Sequence, residues 1–222
     1  EPELWLRWVQ FGVFMPRFSI HSWNDDGTVN EPWMYPEATP QVRALIQLRC
    51  RLMPYLYHLL WRYHSAYEPM IRPTWHDFPG DARCDEENDD MLLGPDLLVA
   101  AVVEPGQRDR RVWLPGTGGW YDWRTGAHHT GGQWITLAAP LDGPPPLLAR
   151  AGCAIPLNTA QAGFRRNEDR RGFRVFPILG EGSFESACFE DDGASAGALS
   201  GQHGHWVLRV EGDATRLHIA VD

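Results

Sequence analysis

The chain opens with a segment that predicts a helix apolar on almost every face. In residues 4–14 the strongly polar side chains are Arg7 and Gln10. A helix without a polar face is stable only where neighbouring structure covers it. A natural N-terminus rarely begins in this way, and the first residue is Glu1 rather than Met. The pattern therefore predicts a piece of a longer polypeptide.

A second helix is predicted from apolar positions that recur every three or four residues over residues 42–63. Thr39 fits the N-cap position before it, and Pro40 fits the first position inside it. Pro54 lies within the same pattern and takes away one backbone donor, so we predict a kink or a break into two helices there. Residues 70–78 follow as a predicted strand.

At residue 91 the pattern changes to short apolar strands separated by turns rich in Gly and Pro. This punctuation is typical of an antiparallel sheet or sandwich. The predicted strands are residues 97–103, 111–114, 120–123, 134–137, 173–179, 184–190, 205–211 and 216–221. Residues 159–172 are rich in Gly and Arg, which predicts a linker before a second, smaller β-unit. We therefore predict an α+β fold.

Composition and charge narrow the classes of function. The 222 residues are 43% hydrophobic and 22% charged, as in globular chains, and the net charge of -9 is unfavourable for a nucleic-acid binder. The apolar runs are only a few residues long, so we predict no membrane-spanning helix. The four cysteines are scattered without a CxxC pair, which indicates free thiols in a reducing compartment and hence a cytoplasmic protein.

The densest group of polar and aromatic side chains lies in residues 17–33. It combines carboxylates, an imidazole, an amide and two indoles. This mixture suits a sugar, because hydroxyls need paired donors and acceptors while the apolar face of the ring stacks on an aromatic plane. The alternative is a surface loop in which residues 24–27 simply form a turn.

Hydrolysis of a glycosidic bond requires two carboxyl groups that flank the bond, about 5 Å apart for retention and about 6.5–9.5 Å apart for inversion. The candidate pairs are Asp25 with Glu31 and Asp26 with Asp77. Their spacing along the chain favours neither pair. The residues alone therefore assign no catalytic group.

No metal or cofactor site is predicted. The histidine pairs at residues 128–129 and 203–205 have no Cys or carboxylate at a recognised ligand spacing, so solvated loop histidines are the simpler interpretation. Residues 190–193 share the composition of a calcium loop but not its alternating ligand order, so a turn is predicted. The tryptophans of the β region alternate with polar residues, as core positions of strands do: Trp113, Trp120, Trp123 and Trp134.

Eight segments follow one another in a familiar order and spacing. They are residues 6–16 (LRWVQFGVFMP), 48–57, 72–73 with 77–79, 92–102, 114–115, 120–126, 139–142 and 150–157. Together they resemble glycoside hydrolase family 31, the α-glucosidase and α-xylosidase family. Residues 189–193 resemble the distal C-terminal β-domain of the same family more weakly.

The resemblance implies a (β/α)8 barrel followed by proximal and distal β-domains, and retaining hydrolysis of α-glycosides by an Asp nucleophile and an Asp acid/base. Such a barrel takes about 250 residues, so residues 1–80 would supply only its last helices and its final strand, residues 71–78. Residues 81–160 would form the proximal β-sandwich domain, and residues 161–222 would start the distal β-domain. The motifs of both catalytic aspartates are not in this sequence, so no catalytic residue carries over and we expect the isolated chain to be inactive.

In this family a histidine hydrogen-bonds the sugar in the subsite of the cleaved residue, and His21 matches it. Many members have an Arg two positions before that histidine, whereas here the position holds Ser19 and the nearest arginine is Arg17. This departure bears on which sugar is bound. We therefore predict a carbohydrate partner held by His21 and Arg17, with Trp23 and Asp25 as further contacts.

An alternative of a different class is a non-catalytic carbohydrate-binding or structural module in the β-rich half. An exposed coplanar pair among Trp120, Trp123 and Trp134 would favour binding, whereas burial of all three would favour packing, which we expect. The bare face of the first helix and the unpaired edges of residues 71–78 predict a homo-oligomer through residues 1–80, unless a fuller molecule covers them.

Overall fold

The computed structural model describes residues 1–20, 25–27, 29–86, 89–160, 170–213 and 215–222. The first helix, α1 (Pro2–Gly12), confirms the helix predicted at the start of the chain. Its buried side includes Leu6 and Val9, together with the polar Arg7 and Gln10. Its other side leaves Leu4 and Trp8 exposed. Two polar residues inside an apolar interface need hydrogen-bond partners there, and they have them in the β-rich part described below.

The second helix, α2 (Thr39–Ala66), is one continuous element. The predicted break into two helices at Pro54 is therefore wrong, because the helix passes through the buried Pro54 without dividing; the alternative of a kink stays a prediction. Ala38 is the N-cap rather than Thr39, whose hydroxyl instead donates to the carbonyl oxygen of Tyr35 at 3.1 Å. At the other end Tyr67 adopts a left-handed conformation with φ 59°, and its N–H bonds Tyr63 O. Among the described helices, none is both long and apolar enough to cross a bilayer.

The strand predicted over residues 70–78 is much shorter in the structure. Only β1 (Ile71–Pro73) is extended, and the short helix α3 (Thr74–Asp77) follows directly. β1 pairs antiparallel with β2 (Asp90–Leu93). Strands of a (β/α)8 barrel pair in parallel, so the interpretation of this segment as the last barrel strand is wrong. One edge of β1 is also paired rather than bare.

The β-rich part confirms the predicted antiparallel architecture. Its further strands are β3 (Leu97–Ala100), β4 (Asp109–Leu114), β5 (Gly119–Asp122), β6 (His128–Thr130), β7 (Gln133–Ala138), β8 (Leu147–Arg150), β9 (Cys153–Asn158), β10 (Arg171–Phe176), β11 (Gly182–Glu190), β12 (Gly204–Gly212) and β13 (Leu217–Val221). Six of the strands form one sheet in the order β1-β2-β3-β8-β5-β6. β4 pairs with β7, β9 with β10, and β11, β12 and β13 form a three-stranded sheet.

The central strands of the six-stranded sheet are buried on both faces. Alternate residues of a strand point to opposite faces, and in β2, β3 and β8 the odd-numbered residues, such as Val99, join the core formed with α1 and α2. The even-numbered residues, such as Leu98, join a second core with Val112 and Leu137 of the β4–β7 pair. The sheet is therefore a middle layer between the helices and the β4–β7 ribbon.

The β9–β10 pair forms a similar middle layer further along the chain. Ile155 of β9 faces the helical core, while Ala154 faces Leu208 and Val210 of β12. The predicted linker, residues 159–172, lies mostly outside the described residues, but β10 already begins at Arg171 within it. The C-terminal three-stranded sheet thus packs on β9–β10, which in turn packs on α2.

The C-terminal sheet also contacts α2 directly through aromatic side chains. The rings of Trp61 and Phe189 are stacked, with centroids 4.1 Å apart and planes 7° from parallel. Nδ1 of His58 accepts the backbone N–H of Phe189 at 3.2 Å, and burial lowers the pKa of His58 to about 4. The Tyr57 hydroxyl donates to the Asp191 carboxylate at 2.8 Å. These contacts tie the last strands to the helix by specific hydrogen bonds as well as by apolar area.

Candidate functional site

The polar-aromatic segment begins where α1 ends. Val13 and Phe14 are fully buried and anchor the chain, which then reaches the surface at Pro16. Arg49 of α2 holds this stretch by its backbone. Its Nη1 donates to Val13 O at 2.7 Å and to Met15 O at 2.6 Å, and its Nη2 donates to Pro16 O at 2.9 Å. Three bonds from one guanidinium fix the path of the chain into the candidate site.

The same arginine packs against Phe18, whose ring centre lies 5.7 Å from the guanidinium carbon. Burial lowers the pKa of Arg49, but a guanidinium stays charged in proteins. This contact fixes the position of Phe18 as well. The part of the chain that α2 holds in place therefore ends three residues before His21.

A second arginine sets the position of α1. Arg7 is buried, and its two terminal nitrogens donate to Gln107 O at 2.6 Å, to Ala139 O at 2.8 Å and to Pro140 O at 3.1 Å. Its Nη1 also donates to the side-chain oxygen of Gln10 at 2.9 Å. The Gln10 amide in turn donates to Pro140 O. Because these acceptors are backbone carbonyls of the β-rich part, α1 is held to it in one orientation.

Of the four predicted substrate contacts, the structure places two. Arg17 and Asp25 are both exposed, one on each side of residues 21–24. His21 and Trp23 lie outside the described residues. All four therefore stay predictions, with Arg17 and Asp25 accessible to a ligand.

The loop before α2 contains the last residues of the polar-aromatic segment. A turn closes with Met34 N bonded to Glu31 O at 3.0 Å and presents Trp33, which is 63% exposed. The loop is held to α1 by an edge-to-face contact between Tyr35 and Trp5, with ring centroids 6.4 Å apart. Part of the polar-aromatic segment is thus packed, and part of it faces solvent.

Asp77, which the sequence offers with Asp26 as a candidate catalytic pair, has a structural role. The Asp77 carboxylate accepts two bonds from Arg72 Nη1, at 2.9 and 3.0 Å, and lies 2.6 Å from Nδ1 of His76. Arg72 and Asp77 are both largely buried. An ion pair of this kind fixes α3 against β1, since the carboxylate of α3 bonds the arginine of the strand.

Two buried carboxyl groups were not predicted. Burial raises the pKa of Asp90 and of Asp96 to about 6 in each case. Asp90 is paired with Arg110 at 2.9 Å, and Asp96 accepts the Tyr55 hydroxyl at 3.2 Å. The single proton of the Tyr55 hydroxyl is shared with Leu93 O, which lies 2.8 Å away. Asp90 and Asp96 lie at or next to the ends of short strands, and no sequence pattern distinguishes these two acids from acids on the surface.

The other candidates have structural explanations. His128 packs edge-on against Tyr121, and His203 packs against Trp61. Within the described ranges, no three His, Cys, Asp or Glu side chains are arranged to hold a metal ion. The predicted turn at residues 190–193 is confirmed, because Asp191 and Asp192 accept backbone N–H groups of the residues that follow.

A groove runs along α1, and residues 13–20 are not among the residues that line it. Its volume is about 760 Å³. One wall is a helical stripe that includes Leu4, Trp8 and Phe11, and the other includes Val102 and Val103 after β3. Its acidic residues are Glu1, Glu3, Asp89, Asp90 and Glu104. Sequence reasoning anticipated the bare helix face but not the second wall.

Comparison with known proteins gives a consistent result. Residues 1–59 match the model of the glycosyl hydrolases family 31 TIM-barrel domain, and residues 67–155 match that of the glycosyl hydrolase family 31 C-terminal domain. Neutral alpha-glucosidase C of Homo sapiens is 36% identical over 204 residues, which is 88% of this chain and 21% of that protein. The alpha-xylosidase of Saccharolobus solfataricus is 29% identical over 99% of this chain and 29% of its own length.

Solved structures agree. A dextranase of Flavobacterium johnsoniae, determined with isomaltotriose, superposes with a TM-score of 0.89 at 31% identity, covering 98% of this chain and 27% of that one. An alpha-xylosidase of Xanthomonas citri superposes with a TM-score of 0.84 at 30% identity, over 99% of this chain and 24% of that one. The chain thus spans about a quarter of the length of these relatives.

Proposed function

Because this chain belongs to glycoside hydrolase family 31, we propose that the polypeptide containing it cleaves terminal α-linked sugars with retention of configuration. The observation that carries the proposal is the match of 98% of the chain to the family 31 dextranase with a TM-score of 0.89. We propose that the catalytic aspartates are supplied by preceding sequence. Two aspartates at the ends of barrel strands in the coding sequence before residue 1 would support this directly.

Within that enzyme, residues 17–25 would line the subsite of the cleaved sugar. The three backbone bonds from Arg49 support this, because they fix the path of the chain towards His21. His21 would bond a sugar hydroxyl, and Arg17 and Asp25, which are exposed, would bond further hydroxyls. Retention requires a carboxylate nucleophile on the opposite side of the bond from the acid, and this chain would supply neither.

The proposal is tested with a chimera in which residues 1–222 replace the matching quarter of the Flavobacterium dextranase. We expect the chimera to hydrolyse an aryl α-glucoside and the isolated chain to give no turnover. His21→Ala in the chimera is expected to lower kcat/KM by about a hundredfold, the usual effect of removing one polar group that stabilises the transition state.

His64→Ala is the matched control, because His64 is an exposed histidine at the end of α2. Equal losses in the two variants would contradict the role of His21. Turnover by the isolated chain that disappears with Asp25→Asn or Asp26→Asn would contradict the assignment of both catalytic groups to preceding sequence.

We also propose that the isolated chain associates through the groove on α1. Trp8 is 68% exposed and Leu4 is 55% exposed, and such an apolar surface favours association. Light scattering of the isolated chain should give a mass above 25.2 kDa. Trp8→Glu should return it to the monomer, whereas Trp206→Glu, at an exposed tryptophan of β12, should not. A monomeric wild-type chain would refute the proposal.

A reducing, cytoplasmic location remains a proposal. It is supported by the four cysteines, which are free thiols, three of them buried. A chain kept in an oxidising compartment would be expected to pair at least some of its thiols.

A further inference from the structure

The β4–β7 ribbon has two unlike faces. Its inner row includes Val112, Leu114 and Leu137, all buried in the second core. Its outer row places Arg111 opposite Thr136 and Trp113 opposite Trp134. An outer row facing solvent ordinarily holds polar side chains, so two indoles beside an arginine call for an explanation.

The two indoles are held in a fixed arrangement. Their ring centroids are 5.5 Å apart with planes 60° from parallel, so the rings meet edge to face rather than lying in one plane. Trp113 Nε1 donates to Asp81 Oδ2 at 2.9 Å, and the other oxygen of Asp81 accepts Arg83 N at 3.1 Å. Trp113 is thus fixed, and it supports Trp134, which keeps 37% of its surface exposed.

Arg111 adds hydrogen-bond donors to this aromatic surface. Its guanidinium carbon lies 4.4 Å from the centre of the Trp134 ring, and the side chain is exposed. A guanidinium carries five N–H donors in a plane. Because the guanidinium lies over one face of the Trp134 ring, a pyranose would pack its C–H face on the part of the indole that stays exposed, while its hydroxyls accept hydrogen bonds from the guanidinium.

The other tryptophans of the six-stranded sheet region offer no comparable surface. Trp120 is 1% exposed and donates to Pro115 O at 3.0 Å, and Trp123 is 8% exposed beneath Arg174. Burial of these two supports packing as their role. Trp134 therefore differs from them in position, since it stands on the outer face of a two-stranded ribbon.

We propose that Trp134 and Arg111, supported by Trp113, form an auxiliary binding site for neutral oligosaccharides on the β-rich part of the chain. The site lies outside the barrel-derived helices and does not depend on the proposed hydrolytic activity. It would hold a polysaccharide strand rather than cleave it.

The test is affinity electrophoresis of the full 222-residue chain in native gels with and without dextran or soluble starch. Wild type should be retarded by at least one of these neutral polymers. Trp134→Thr, a residue suited to an exposed strand position, should lower the association constant at least tenfold, and Arg111→Gln should lower it by a smaller factor. Trp206→Thr, at an exposed strand tryptophan of the C-terminal sheet, is the matched control and should bind as wild type.

Circular dichroism of each variant checks folding, and Arg111→Gln keeps the test decisive should Trp134→Thr unfold. Absence of retardation for wild type would overturn the proposal, as would equal retardation of wild type, Trp134→Thr and Arg111→Gln. Retardation lost with Asp25→Asn but kept with Trp134→Thr would place binding at the proposed substrate segment and would also overturn it. Failure of the dextranase chimera, by contrast, would leave this result unaffected.

Discussion

Gly94→Ala is expected to lower the free energy of unfolding by about 2–5 kcal/mol. Gly94 has φ +60°, a conformation that side-chain-bearing residues rarely adopt. An added Cβ would also clash with the Tyr55 hydroxyl and would lie 2.6 Å from Cδ2 of Leu59. Both side chains belong to the buried face of α2. The substitution therefore strains the β2–β3 turn and pushes it away from the helix at the same time.

The control is Gly106→Ala. Gly106 has φ +75°, but no atom lies within 4 Å of the position that a Cβ would take. It should cost only the backbone strain, about 1 kcal/mol. Denaturant unfolding of the two variants separates strain from collision. Equal midpoints would mean that α2 yields to the new methyl group, which would contradict tight packing at this turn.

The second large effect is expected from Arg7→Met, at about 2–4 kcal/mol. Methionine keeps much of the apolar length but leaves Gln107 O and Ala139 O without the donors they have now. Burial lowers the pKa of Arg7 because the charged guanidinium is partly removed from water, and a buried charge depends on its remaining hydrogen-bond acceptors. Hydrogen exchange of the α1 amides should accelerate more than that of α2, since the loss is local to the docking of α1.

Arg108→Met serves as the control for charge and side-chain length. Arg108 forms an ion pair with Glu3 in which both side chains are partly exposed, and solvent screens such surface pairs so that they contribute little to stability. A loss as large as that of Arg7→Met would show that surface charge, not the buried carbonyl contacts, holds α1. Unchanged exchange of α1 in Arg7→Met would argue against the docking role in the same way.

The helices and most strands could be predicted because their patterns are local. The sequence shows the helical period of α2, but it does not show that the helix continues through Pro54. That continuity depends on tertiary packing, which can hold a helix together at a proline. The strands at β8 and β9 were missed because prolines surround or interrupt them, as Pro156 does in β9. The strand predicted over residues 70–78 is too long because the side chains of these residues are compatible with a strand. The helix α3 forms there instead and is stabilised by the ion pair of Arg72 with Asp77.

Only part of the candidate site could be predicted from the sequence. Residues 17–33 stood out by composition, and their resemblance to a known family supplied a role for His21. Arg7 and Arg49 carry no such mark, because their acceptors are backbone carbonyls distant in sequence, up to 133 positions away for Arg7. Carbonyls are present at every residue, so a sequence gives no sign of which ones a buried arginine will meet.

The reach of α2 has a practical consequence for recombining such enzymes. The helix rises about 1.5 Å per residue. Near its middle, Arg49 bonds the backbone that leads into residues 17–33. Further along, His58 and Trp61 contact Phe189 of the C-terminal sheet. A crossover placed between the barrel match and the C-terminal match would graft one parent's sheet onto another parent's helix. Exchange of terminal modules should therefore succeed when the junction lies before α1, so that both partners of each contact travel together.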